Sequence, residues 1–567
     1  MKFFVSLAVS LVSIGAVSAT PTAVLKRDVS TDGSCGGTAG LTCKGSAFGD
    51  CCSQYGYCGS GSAWCGTGCQ PGFGTCGGDS SQPSPTPSTP APTPVSAPEA
   101  LVKCLDGKSV PFKTGADSEY AQLAKPYNLR LPFSPAVIVL PTTEQHVQDA
   151  VVCAGENKIK VQAKSGGHSY ANFNTGGIDG AMQINLQSFQ TIDLDTSNGI
   201  ASVGGGVRLG NLGDGLWTQG KAAVAHGTCP GVGIGGHYTH GGYGQTSRHW
   251  GLAMDQIVGA EVVTADGKLV KTSSTESPDL FWAIRGAADS FGIVTKFYIQ
   301  THAAPDSITY FQFGFQGIHD SKDVWTKTFL HLQDVATNSS VIDDRIAFGV
   351  YLDGYKGYSL SGAFFGSVDE FNNKIKPELL RSLPAPDSPT VESLNWYDYL
   401  VKVSGKTTIK VSTTGYDEHE DFFAKSVTVP ESSGLTSDAL GSLYDHLQTA
   451  SSQEWYIIMN LYGGPGSAIN KKDISFAAYD DRKSLWVFQN WGYGATPKDF
   501  INGINDAIIN AEPQTQFGAY LNYVDPTYDA ATAHKLYYGS EVTSRLTELK
   551  AKVDPEGVFW NPQAIGA

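Results

Sequence analysis

No run of lysine or arginine occurs anywhere in this 567-residue chain; 39 basic residues are scattered among 54 acidic ones, for a formal net charge of -15. Phosphate backbones require clustered positive charge, so nucleic acid and other polyanions are excluded as partners. After the N-terminus, no apolar stretch reaches the roughly 20 residues that a membrane-spanning helix needs, which excludes a membrane protein of the helical kind. Cysteine is also scarce over most of the length. Only Cys104, Cys153 and Cys229 lie outside the segment from Cys35 to Cys76.

What is present begins with Lys2, the apolar run from Phe3 to Val17 and the small residues Val17-Ser18-Ala19. This order reads as an export signal over residues 1–19, too short for a membrane anchor, and the mature protein is expected outside the cell. Lys26-Arg27 is a candidate second processing site.

Eight of the eleven cysteines are packed into one short segment: Cys35, Cys43, Cys51, Cys52, Cys58, Cys65, Cys69 and Cys76. With few aliphatic residues, that segment cannot bury enough apolar surface to hold itself together, so disulfides are expected to replace a core over residues 30–77. A zinc site is the rival reading, weakened by the absence of histidine from the cluster. The adjacent Cys51-Cys52 pair and the spacing resemble the hevein-type chitin-binding module. The resemblance implies that Ser53, Tyr55, Tyr57 and Trp64 contact sugar, aromatic faces stacking on pyranose C–H surfaces and the hydroxyl meeting an N-acetyl group. Residues 78–98 follow, rich in Pro, Ser and Thr, and read as an extended spacer with candidate O-glycosylation sites. Asn338-Ser339-Ser340 is an N-glycosylation sequon.

Beyond the spacer the pattern becomes mixed α/β. Ala136–Leu140 reads as a buried strand, Pro141-Thr142-Thr143 as a helix start with Val147, Val151 and Ala154 at helical spacing, and Ile159–Ala163 as a second strand. That strand leads into Ser165-Gly166-Gly167-His168-Ser169-Tyr170, whose glycines let backbone amides approach a pyrophosphate. A second such segment runs from His226-Gly227-Thr228-Cys229 through Val232 to Gly236-His237. A histidine in one and a cysteine in the other offer two nucleophiles to a single flavin. Cys229 could otherwise be a buried free thiol or a disulfide partner. With Cys229 assigned to the flavin, Cys104 and Cys153 remain, and they are expected to pair.

These segments are followed in order by Gly241-Gly242-Tyr243-Gly244, Asp279–Gly286 and Phe291-Gly292-Ile293-Val294-Thr295. The series resembles the vanillyl-alcohol-oxidase (PCMH) type of FAD-binding domain, with Ala287–Ser290 replacing part of its usual glycine run. Tyr520–Asp525, Tyr537-Tyr538-Gly539 and Phe559-Trp560-Asn561-Pro562 are similar to the closing segment of berberine-bridge-enzyme-like proteins. Within that group the hevein-type module points to the fungal gluco- and chitooligosaccharide oxidases. The implied fold is α+β, a two-subdomain FAD-binding fold with a substrate subdomain built on an antiparallel sheet, preceded by the small disulfide-rich module. The FAD domain is expected over residues 130–305, the substrate domain over 306–515, and a C-terminal segment completing the FAD domain over 516–565.

The resemblance implies FAD bound covalently, His168 to the 8α carbon and Cys229 to C6. The flavin is surrounded by Ser165, Gly166, Gly167, Ser169, Gly227, Thr228, Val232, Gly236, His237, Gly244, Ile293 and Val294, with no metal. Val232 stands where a small residue lets oxygen reach the flavin, so dioxygen is the expected acceptor. Tyr523 matches the catalytic base for the C1 hydroxyl of a sugar, set with Tyr520 in a strand-like run. A phenol needs its pKa of about 10 lowered for that task, and the family uses an aspartate. The position expected for it, in the strand Trp455–Asn460, holds Asn460, an amide that can orient a phenol but cannot take its proton. Tyr170, Tyr243, Tyr456, Gln489 and Tyr520 are candidate substrate contacts. The expected activity is oxidation of the reducing-end C1 hydroxyl of chito-oligosaccharides to a lactone and aldonic acid, with hydrogen peroxide formed and the module holding the enzyme on chitin. Cello- or malto-oligosaccharides, an aromatic alcohol, or a chitin-binding wall protein without catalysis are the alternatives.

Overall fold

The computed structural model of the protein describes residues 94–567 and, before them, 29–31, 33–36, 41–46, 48–53, 56–60, 62–65 and 69–76. The expected export signal, Lys26-Arg27, Tyr55 and most of the spacer lie outside the described residues. The chain divides into two compact units, Met1–Thr89 and Pro90–Ala567.

In the first unit the eight cysteines form four disulfides: Cys35–Cys52, Cys43–Cys58, Cys51–Cys65 and Cys69–Cys76. The sulfurs of Cys35, Cys43 and Cys52 lie close together, but each is spent in a cross-link, which closes the zinc reading. Cys51–Cys52 and Cys58–Gly59 pair as a minimal antiparallel ladder. The buried core is little more than Cys35, Cys43, Cys52 and Cys58 with Phe73 against them, so the cross-links stabilise the module chiefly by restricting its unfolded chain.

The second unit is α+β, as the fold resemblance implied. Val137–Val139, Met182–Asn185 and Val161–Lys164 form a parallel sheet with Phe112–Lys113 antiparallel at its edge. The helix Glu144–Glu156 connects the outer parallel strands and starts one residue later than the sequence suggests. Thr143, not Thr142, is the cap, its hydroxyl accepting from the His146 amide at 3.2 Å. The second strand also runs later than expected, through Lys164, and delivers the chain directly into the glycine loop. Cys104 and Cys153 are bonded, tying the helix Glu99–Gly107 to this helix. A five-stranded antiparallel sheet stands in the same half, in the order Leu269–Ser273, Ile257–Val263, Ile293–Gln300, Ile200–Gly204, Ile192–Asp195.

The other half is a seven-stranded antiparallel sheet, in the order Thr390–Leu394, Ile308–Gly314, Tyr358–Phe364, Ile346–Asp353, Trp455–Leu461, Ser484–Tyr493, Phe422–Pro430. Strand side chains alternate between faces, so this sheet has two distinct surfaces. Ile457, Met459, Leu461, Trp486 and Phe488 share one buried core with Trp325, Phe329, Leu440, Leu443 and Ile504 of three helices. Tyr456, Ile458, Asn460, Gln489 and Trp491 point to the opposite face, where the site is built. The last fifty residues return to the first half. Val161 donates its amide to the Val558 carbonyl at 2.9 Å, and the buried Lys550 ammonium donates to the Ser290 and Phe559 carbonyls while paired with Asp554. Among the described residues no helix is long and apolar enough to cross a membrane.

Candidate active site

The two glycine-containing segments meet backbone to backbone. A methyl group on Gly166 would overlap the Gly233 amide nitrogen, and one on Gly233 would overlap the Gly166 nitrogen. Glycine is therefore required there for loop-to-loop approach, a different reason from the access to a pyrophosphate that the sequence suggests. Ser165 fastens the contact, its hydroxyl donating to the Gly205 carbonyl at 2.7 Å and accepting from the Gly235 amide at 3.2 Å. The buried Arg208 guanidinium clamps both loops, donating to the carbonyls of Gly166 at 3.0 Å and Gly231 at 2.6 Å. Gly233→Ala is expected to push the loops apart and abolish flavin retention. Flavin absorbance per mole of purified, folded protein is the measure, and wild-type content would contradict the close contact.

His168 stands at the junction. Its Nε2 is buried and lacks a hydrogen-bond partner, lies 3.6 Å from Glu418 Oε2, and its ring packs on Tyr127 with centroids 4.6 Å apart. Burial pulls its pKa down to about 4, against the pull of Glu418, so the imidazole is neutral at ordinary pH. Cys229 is the free cysteine among the described residues, and it is exposed. Its thiol pKa is raised by desolvation first and by Glu418 next, which keeps it protonated. Two buried cations, Lys164 and Arg208, flank the glycine loop and share Asp417 at 3.2 and 3.3 Å. An unpartnered buried imidazole nitrogen, a free thiol in the facing loop and paired cations beside the glycines are a donor set that fits FAD.

The expected flavin neighbours divide. Gly167, Ser169, Thr228 and Gly236 lie in the two loops; Ser169 accepts from the Phe173 amide at 3.0 Å, and Val232 donates its amide to the Cys229 carbonyl at 3.3 Å. His237 braces the cysteine loop, its Nε2 accepting from the Gly227 amide at 2.9 Å. Gly244 is needed because a side chain would overlap the His226 carbonyl. Ile293 is spent in the core under the parallel sheet, and Val294 packs in the core of the neighbouring sheet.

Opposite the loops, Tyr523 sits on a single 3-10 turn, Leu521–Tyr523, and not on the strand that the alternating sequence suggests. The Tyr523 amide donates to the Tyr520 carbonyl at 2.9 Å, and this turn brings the two rings together edge to face at 4.9 Å. Tyr520 is only 2% exposed. Its hydroxyl accepts from the amides of Gly242 at 3.0 Å and Tyr243 at 2.7 Å and from Asn522 Nδ2 at 3.1 Å. The expectation that Tyr520 touches substrate is corrected: it is a buried bracket behind Tyr523. Tyr243 also belongs to the core, its ring stacked on Tyr462 and its hydroxyl donating to the Leu461 carbonyl at 3.1 Å.

Tyr170, Gln489 and Tyr523 come together. The Tyr170 and Tyr523 rings are parallel within 2° at 5.6 Å, and Gln489 Nε2 donates to the Tyr170 hydroxyl at 2.5 Å. Tyr456 stacks on Trp491 at 5.8 Å and on Tyr351 at 5.8 Å. Asn460 lies opposite Gly349 on the adjacent strand and faces the same way as Tyr456. Burial raises the Tyr523 phenol well above its usual pKa, with Tyr520 adding to the shift, so the site as built favours a neutral phenol. In the first unit, Ser53 is buried, Tyr57 is 61% exposed and Trp64 is half-buried.

The FAD binding domain family matches residues 135–273, and the "Berberine and berberine like" family matches 519–566. The xylooligosaccharide oxidase of Thermothelomyces thermophilus is 37% identical over 82% of this chain and 94% of its own length. The chitooligosaccharide oxidase of Gibberella zeae is 35% identical over the same shares, 82% and 94%. The chain belongs to the FAD-dependent oligosaccharide oxidases. Among solved members, the glucooligosaccharide oxidase of Acremonium strictum, described with a 6-S-cysteinyl, 8α-N1-histidyl FAD, superposes with a TM-score of 0.77 at 30% identity. That match covers 82% of this chain and 99% of the other.

As a carbohydrate oxidase of this family, the protein carries site features that the motifs did not disclose. Tyr127, Phe422, Trp491 and Tyr493 join Tyr170 and Tyr456 in one aromatic cluster. Trp491 was recoverable from strand alternation, two residues beyond Gln489. Tyr127 and Phe422 carry no signal in their local sequence, nor does the segment Tyr416–Glu418 that reaches His168.

Proposed function

We propose that the protein oxidises the reducing-end C1 hydroxyl of chito-oligosaccharides, with FAD attached to both His168 and Cys229 and dioxygen as acceptor, outside the cell and tethered to chitin. The observation that carries this reading is a chain of contacts: His168 packs on Tyr127, Tyr127 neighbours Tyr170, Tyr170 stacks on Tyr523 and is held by Gln489, and Cys229 is close enough to act electrostatically on both phenols. When bound there, FAD supplies the two-electron acceptor for hydride from C1. Tyr523 Oη takes the C1 hydroxyl proton in its phenolate form, which burial disfavours, so turnover is expected to rise with pH as the phenol ionises. Tyr170, held by Gln489, keeps the Tyr523 ring in plane, and the part-exposed ring of Tyr456, backed by the buried Trp491, offers a stacking surface to a pyranose ring. Asn460 orients and does not accept the proton.

Support for N-acetylglucosamine oligomers comes from the four-disulfide module, with Tyr57 exposed and Trp64 half-buried as the family's sugar contacts. A tether raises local concentration on the polymer without defining the active site. Tyr57→Ala with Trp64→Ala is therefore expected to remove retention on chitin beads while leaving kcat on soluble oligomers within a factor of about 2. A parallel fall in kcat would contradict the tether reading.

The deciding experiment compares peroxide release from chito-, xylo-, cello- and malto-oligosaccharides of matched length. A higher kcat/KM for the chito series supports the proposal. Preference for another series leaves a family oxidase whose module only anchors it.

A further inference from the structure

The carboxylate of Glu418 is placed against the residue proposed to carry the flavin. Its Oε2 lies 3.6 Å from His168 Nε2, and its Oε1 accepts from the Tyr416 hydroxyl at 2.8 Å, which fixes the carboxylate's orientation. Tyr416 is itself placed by Arg208, whose guanidinium lies 5.3 Å from its ring centroid and also clamps the two loops. On the far side Tyr127 packs against the imidazole, which holds the ring plane. Nε2 is buried and unpartnered, and Glu418 is the acidic side chain in ion-pair range of it.

We propose that Glu418 is the positioning base for covalent attachment of the flavin: it orients the imidazole so that Nδ1 faces the 8α carbon, and it receives the Nε2 proton as the Nδ1–carbon bond forms. The proposal rests on the reading that His168 carries the flavin.

The step balances. One bond forms, from Nδ1 to the 8α carbon, and one C–H bond at that carbon breaks with loss of its proton. Bonding through Nδ1 would leave the imidazole cationic, and the N–H proton on Nε2 passes to Glu418. The electron pair released is taken by dioxygen, which with the two protons leaves as hydrogen peroxide. A neutral imidazole, with Nδ1 holding a lone pair and Nε2 a proton, is the reactive form, and burial maintains it. An approach of a few tenths of an ångström converts the 3.6 Å separation to a charge-assisted hydrogen bond.

The test is peptide mass analysis of purified, flavin-loaded protein, scoring flavin on the His168 peptide and on the Cys229 peptide separately. In Glu418→Gln the His168-linked fraction is expected to fall at least tenfold while the Cys229-linked fraction persists, and Glu418→Asp is expected to restore part of it. A merely structural role would lower both linkages together. Full loading of His168 in Glu418→Gln overturns the proposal. If that variant does not fold, Tyr416→Phe, which releases the carboxylate, is expected to lower His168 loading severalfold, and wild-type loading there overturns it. Absence of flavin from His168 in the wild-type protein would instead refute the attachment reading itself.

Discussion

Tyr523→Phe is expected to lower kcat by about 10²–10⁴-fold, the range that a positioned general base contributes. Phenylalanine keeps the ring and therefore the 5.6 Å stack on Tyr170 and the edge contact with Tyr520, so the cleft and the flavin content are expected to remain as in the wild type. Only the oxygen that receives the C1 proton is removed. KM is accordingly expected to change little, because the stacking surface of Tyr456 is untouched. Steady-state peroxide release combined with the flavin spectrum checks both parts. A fall of less than tenfold in kcat would place the base elsewhere, and loss of flavin would show that the hydroxyl is structural. The contrast with Tyr520 sharpens the test: Tyr520→Phe strips the acceptor from the Gly242 and Tyr243 amides, so its defect is expected in stability as well as in turnover.

Asp255→Ala is expected to destabilise the protein by about 3–5 kcal/mol, the consequence of leaving one member of a buried ion pair uncompensated. Arg482 and Asp255 are each 3% exposed at the side chain, and the guanidinium donates to both carboxylate oxygens at 2.8 and 2.6 Å. Asp255 also accepts from the Leu252 amide at 3.0 Å, within the turn whose neighbours hydrogen-bond to Gly241 and Gly242. Loss of the pair therefore loosens the segment that holds the Tyr520 bracket. The midpoint of denaturant unfolding, followed on flavin-loaded protein, is the measurement. Asp255→Leu with Arg482→Met is expected to recover most of the loss, since matched apolar replacements remove both desolvated charges. A cost below about 1 kcal/mol for Asp255→Ala would mean that water reaches Arg482.

His168 and Cys229 were legible as candidates because their chemistry is local. A histidine two residues after Gly166 and a cysteine within a glycine-rich stretch announce themselves by residue type, and the family resemblance gives them a partner. The strands Trp455–Leu461 and Ser484–Tyr493 were legible because alternation decides which residues share a face. The same rule misled at Tyr520–Tyr523. Aromatic alternation there looks like a strand, but Tyr520 is held by amides from Gly242 and Tyr243 and the chain closes a 3-10 turn. Tertiary hydrogen bonds outweighed a weak β preference.

By itself, the sequence determined the cross-linked module, the strand–helix–strand entry into the glycine loop, the nucleophiles offered to a flavin and the family. Each follows from short-range rules: too little apolar surface to replace disulfides, glycine where backbones must approach, and residues with the right reactivity. Only the tertiary structure decided that Gly166 and Gly233 touch, that Gly242 and Tyr243 hold the Tyr520 hydroxyl, that Tyr127, Phe422 and Trp491 join one aromatic cluster, and that Glu418 faces His168. These are contacts between segments distant in the chain, fixed by how two sheets and their connecting loops pack, and no local pattern encodes the partner of a buried side chain.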